Sequence, residues 1–130
     1  MVRCLFIICL FSVLGIACND KYEEPETAID AGRQFISAIY NGNFKRAGQL
    51  IIKEEPNPSI LKDSIEADFR SRDGFGKEAL SKASIRVIKV TALDSTSTIM
   101  EYTNAYSQSP GILAILKMDG KWRVVIKKWR

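Results

Sequence analysis

Residues 111–129 read GILAILKM-DG-KWRVVIKKW. Two runs rich in β-branched and aromatic residues flank Asp119-Gly120. That dipeptide is a strong two-residue hairpin signal, because a type I′ turn needs φ > 0 at both central positions. Along the second run Trp122, Val124 and Ile126 alternate with Lys121, Arg123 and Lys127. A period of two places the first set on one face of a strand and the second on the other. Upstream the same period runs back to Ser84. Strands are expected at about 84–93, 97–106, 111–118 and 121–129, joined at Asp94-Ser95, Ser109-Pro110-Gly111 and Asp119-Gly120. Short connections make the four an antiparallel meander.

Before Ser84 the period is helical. Pro25 and Glu26 suit a first turn, where a missing N–H costs nothing and negative charge meets the dipole. Ala28, Gly32, Phe35, Ile36 and Ile39 then recur on one face. Asn41-Gly42 closes this helix and Asn43 can cap the next, whose apolar face is Phe44, Ala47, Leu50 and Ile51. Glu54-Glu55-Pro56-Asn57-Pro58 reads as a break. Ser59 then caps a third helix through Arg70, with Leu61, Ile65 and Phe69 on one side. Residues 72–76 read as a loop, and Lys77 to Ala83 as a further helical turn. Helices first and strands after predict an α+β fold, with N-terminal helices packed on a curved four-stranded antiparallel sheet.

The 130 residues carry 19 Lys plus Arg and 15 Asp plus Glu, no His and three Cys. Without His, no Ser-His or Cys-His catalytic pair can form. Residues 1–17 have one charge, Arg3, and an apolar run from Cys4 to Ala17. This is the layout of a signal peptide, and it is short for a membrane span. Leu14-Gly15-Ile16-Ala17-Cys18 resembles a bacterial lipobox, which implies cleavage before Cys18 and acylation of its thiol. Cys4 and Cys9 then leave with residues 1–17, and the mature chain has no free thiol. Residues 18–25 read as an acidic tether, because Asp20, Glu23 and Glu24 face Lys21 alone. Residues 26–130 are left as one domain.

The phrase from Phe35 to Ala47, FISAIYNGNFKRA, and the closing Gly120-Lys121-Trp122-Arg123-Val124 resemble the opening and last hairpin of the nuclear-transport-factor-2-like, or cystatin-like, cone. The nearest likeness is to small Bacteroidota-type lipoproteins whose domain has no assigned function. The resemblance implies an extracytoplasmic protein, lipid-anchored to a bacterial membrane, with the outer membrane or cell surface favoured. With no His and no catalytic motif, the favoured reading is a non-enzymatic binding or accessory module. The alternatives are an isomerase or lyase of a small substrate in the cone pocket, and a structural dimerisation domain. Fold alone does not choose among them.

Three residue sets bear on that choice. Phe35, Ile39, Tyr40, Met100, Tyr102, Tyr106 and Trp122 could line a pocket for a small apolar ligand, or fill the cone themselves. Asp68, Asp73 and Glu101 are the candidate bases and Tyr40, Tyr102 and Tyr106 the candidate proton donors. Glu101 falls on the strand face opposite Tyr102, and no set of residues forms a catalytic motif. Arg86, Lys89, Lys121, Arg123 and Lys127, with Lys117, Lys128 and Arg130, could form a basic outer face for an anionic glycan, a lipid headgroup or an acidic protein partner. No metal, cofactor or nucleic acid is implied. A homodimer through the sheet is open. Asp63-Ser64-Ile65 and Asp94-Ser95-Thr96 resemble an O-glycosylation sequence, the second in an expected turn.

Overall fold

The computed structural model describes residues 22–105 and 110–126. Helix α1 spans Ala28–Tyr40. It starts two residues later than Pro25 and Glu26 suggest, because Thr27 stops it. Thr27 is extended, and its hydroxyl accepts the Asp30 amide at 3.1 Å. That hydrogen bond satisfies one of the amides a helix start leaves over. Gly42 ends the helix at φ 70°. A Cβ there would sit 2.8 Å from the Phe69 ring, so conformation and space both require glycine. Asn43 caps α2, Phe44–Leu50, by accepting the Arg46 amide at 3.1 Å.

The expected break at 54–58 ends earlier than its two prolines imply. Helix α3, Asn57–Ile60, continues through a π-helical stretch, Leu61–Glu66, into α4, Ala67–Ser71. Pro58 lies in the first turn, where its missing N–H costs nothing. Ser59 does not cap. Its hydroxyl donates to Glu55 at 2.6 Å instead. The Glu55–Pro56 bond is cis. Leu61 and Ile65 are buried, and Phe69 meets Phe44 edge to face with ring centres 5.4 Å apart. Helix α5, Gly74–Ser81, begins inside the expected loop because Asp73 caps it, accepting the Gly76 amide at 2.7 Å.

The sheet is the expected meander: β1 Ile85–Asp94, β2 Ser97–Asn104, β3 Gly111–Met118 and β4 Lys121–Val125, in that order and all antiparallel. Asp119 and Gly120 both have positive φ, 51° and 76°, as a primed turn demands. Two register shifts in β1 mark bulges, which bend and twist a strand. Register puts Thr98, Met100 and Tyr102 on one face with Leu113, Ile115 and Val124, and the helices cover that face. Gly32 of α1 approaches so closely that a Cβ would lie 2.6 Å from Met100 Cε and 3.1 Å from Ile115 Cδ1. Phe35, Ile36, Leu50, Ile65, Met100, Ile115 and Val124 are essentially fully buried. Each contributes roughly 1.5–3 kcal/mol of transfer free energy.

The outer edge of β4 is closed by the chain that follows α2. Ile51 bridges Val124, and the Ile52 amide donates to the Val124 carbonyl at 3.0 Å. Asn57 completes the seal. Its side chain is 5% exposed, accepts the Ile126 amide at 2.6 Å and donates to the Glu54 carbonyl at 2.9 Å. No helix among the described residues is long and apolar enough to cross a membrane.

Candidate functional site

The residues expected around a cone pocket form the core itself. Phe35 and Met100 are 0% exposed, Ile39 3%, Tyr102 5% and Tyr40 6%, all within one apolar cluster. Of the two roles the sequence leaves open for these side chains, ligand lining and filling of the cone, the burial of the described ones matches the second. Gly32 comes so close to the sheet that a Cβ there would run into Met100. Trp122 differs from the rest. It is half-buried at the sheet's rim, with Lys117 Nζ 5.6 Å from its ring centre. Tyr106 lies outside the described residues, as do Cys18, Lys127, Lys128 and Arg130.

The candidate acids and phenols do not meet. Burial pushes the Tyr102 phenol well above its ordinary range, with a smaller push from Tyr40. Burial also raises Tyr40, opposed by the Asn104 amide that donates to its hydroxyl. Both phenols are thus held protonated. No carboxylate is buried among the described residues. Asp73 is spent as a helix cap, Asp68 pairs with Arg72 at 3.1 Å, and Glu101 lies on the far face of the sheet. No His, Cys, Asp and Glu cluster suited to a metal occurs among the described residues.

On the outer face of the sheet the described basic residues fall in two separate lines. Register places Arg86 opposite Thr103 and Lys89 opposite Glu101 on β1, with Lys121 and Arg123 on β4. With strands spaced about 4.8 Å, the two basic lines stand roughly 14 Å apart. Between them on the same face lie Ile99, Ile112, Ala114 and Leu116, with Met118 and Val125 beside them. Ile112 is 60% exposed and Met118 42%. Arg123 is drawn aside by an ion pair with Glu24, and its guanidinium holds the Glu24 carboxyl below the usual carboxylate range. Lys117 leaves this set altogether, because it pairs with Trp122 on the inner face. The result is an apolar centre with charged borders of both signs.

Residues 22–25, expected to belong to a free acidic tether, are docked. Tyr22 Oη accepts from Asn43 Nδ2 at 2.7 Å, and its ring lies 4.8 Å from the Arg46 guanidinium carbon. Arg46 is 7% exposed and donates to the Glu23 carbonyl at 2.9 Å, to Gln34 at 2.6 Å and to Gln49 at 3.3 Å. Glu24 reaches Arg123, and Pro25 is buried. The composition of 18–25 hides this, because the anchoring groups sit at Asn43, Arg46 and Arg123, far along the chain.

The class these features define is an α+β domain with helices on one face of an antiparallel sheet. No family model matches the chain, and no curated protein matches it. Among solved structures it is similar to an NTF-2-like protein of unknown function from Shewanella oneidensis. The TM-score is 0.48 and the identity 12%, over 74% of this chain and 89% of that one. The fold assignment rests on the element order and sheet register described above.

Proposed function

We propose that this protein is a non-enzymatic interaction module, held on the outside of a bacterial membrane through acyl chains on Cys18, and that it works through the outer face of its sheet. One contrast carries the reading. The inner face is packed to 0% exposure at Phe35, Met100, Ile115 and Val124, whereas Ile112 and Met118 on the outer face stand in solvent. Among the described residues the inner face is filled by its own side chains and no carboxylate is buried, which favours binding over catalysis. The resemblance of 35–47 and 120–124 to the nuclear-transport-factor-2-like cone adds no activity to this.

The occupant that suits the outer face is a second copy of the chain. A two-fold interface brings one patch against itself, so the patch must be self-complementary. This one has an apolar centre, Glu101 within it, and Arg86, Lys89 and Lys121 at its borders. Two such sheets can stack face to face at about 10 Å. The mature domain is expected to sediment as a dimer, and Ile112→Lys to sediment as a folded monomer with an unchanged far-ultraviolet circular dichroism spectrum. A wild-type monomer at every concentration, with Ile112→Lys identical to it, would overturn the dimer and the use of this face for it.

A further inference from the structure

We infer that residues 22–25 form a strap that fixes the orientation of the domain, so that the end carrying Tyr22, Arg33, Asn41 and Ile85 lies against the phosphate-bearing headgroup layer of the membrane. This rests on the proposed acylation of Cys18. Four successive residues are each held: Tyr22 by Asn43 and Arg46, Glu23 by Arg46, Glu24 by Arg123, and Pro25 by burial. The described chain is therefore held against the domain from Tyr22 onward, beside the start of α2, and not only from residue 26.

Leash length does the rest. Three residues separate Cys18 from Tyr22. Four residue steps reach at most about 14 Å when fully extended. With Cys18 seated at the bilayer surface, Tyr22 cannot rise farther than that. The domain is larger than this reach: β1 alone, from Ile85 to Asp94, spans about 30 Å at 3.3 Å per residue. The two ends of the sheet are therefore not equivalent. Ile85 shares a hollow of about 410 Å³ with Tyr22, Arg33, Ser37 and Asn41. The β1–β2 turn at Ser95 and the β3–β4 turn at Asp119 lie at the opposite end of the sheet.

The near end carries exposed charges of both signs, Arg33 and Lys45 with Glu23 and Glu26, so the leash and not net charge sets the orientation. Arg46 spends its hydrogen bonds on neutral acceptors, and neither it nor Arg33 forms an ion pair among the described residues.

The test uses the full acylated chain in phosphatidylglycerol-containing vesicles, with a fluorophore on Ser37→Cys or Ser95→Cys and a headgroup-attached nitroxide as quencher. Flotation is measured in the same samples. The expected result is flotation of both, with the Ser37 label losing most of its emission and the Ser95 label keeping its own. In a Tyr22→Ala/Glu24→Gln chain, which touches no core residue, flotation is expected to persist while the difference between labels shrinks. Flotation with equal quenching at both positions would overturn the strap alone. Failure to float would overturn both the strap and the anchor on which it rests.

Discussion

Phe35→Ala is expected to lower unfolding free energy by about 3–5 kcal/mol, the usual cost of emptying a buried aromatic site. Phe35 is 0% exposed and faces the sheet from the middle of α1. Its neighbours cannot collapse inward freely, because Gly32 already brings the helix into contact with Met100 and Ile115. Trp122→Ala is expected to cost distinctly less, although Trp is the larger residue. Trp122 is only half-buried, and part of its ring faces Lys117 at the rim. Chemical denaturation of both variants checks the order. A domain of this size is stabilised by roughly 5–15 kcal/mol, so the Phe35 change removes a large share and the midpoint shift is easily read. A Trp122 cost equal to or above that of Phe35 would contradict the placement of the core.

Asn57→Ala is the second large effect. The Asn57 side chain bonds at once to the Ile126 amide and the Glu54 carbonyl in a buried setting. Truncation orphans the Ile126 amide, at about 1–3 kcal/mol for a buried group left unsatisfied, while the Glu54 carbonyl keeps the Asn57 backbone N–H at 3.1 Å. The same contact ties the start of α3 to the end of the sheet, so loss should be local as well as global. Hydrogen exchange is expected to rise first at the Ile126 amide and at Ile52, whose amide closes the β4 edge beside it. Neutral stability in Asn57→Ala would mean that water replaces the side chain there. The sealed edge would then be wrong.

These two residues also mark what was legible in the sequence. Phe35 could be placed because helical periodicity reports which residues share a face, and a face this apolar must be buried. Asp119-Gly120 was legible for a similar reason: few residue pairs adopt positive φ twice. Asn57 was not legible. Between two prolines it reads as part of a break, and its partner is 69 residues away at Ile126. Asp73 reads as part of a loop for a related reason. An Asp beside Gly suits a turn and a helix cap equally, and only the Gly76 amide decides between them.

For the candidate site the split is similar. Alternation correctly separated Lys121 and Arg123 from Trp122 and Val124 along one strand. It could not place Lys117, whose face depends on pairing with β4 rather than on its own strand. Nor could it reveal that the basic residues divide into two lines with Ile99, Ile112 and Leu116 between them, since this follows from the order of strands in the sheet. The docked segment 22–25 escaped because acidic composition describes how a chain behaves in isolation. Arg46 and Arg123 change that behaviour only once the fold brings them alongside.

The proposed location, leash and orientation all depend on one proposed covalent modification, acylation of Cys18. Intact-mass spectrometry of the native protein from the membrane fraction tests it directly. The account predicts a chain that begins at Cys18 and carries diacylglycerol and acyl masses. An unmodified chain, or one cut at any other residue, would contradict it.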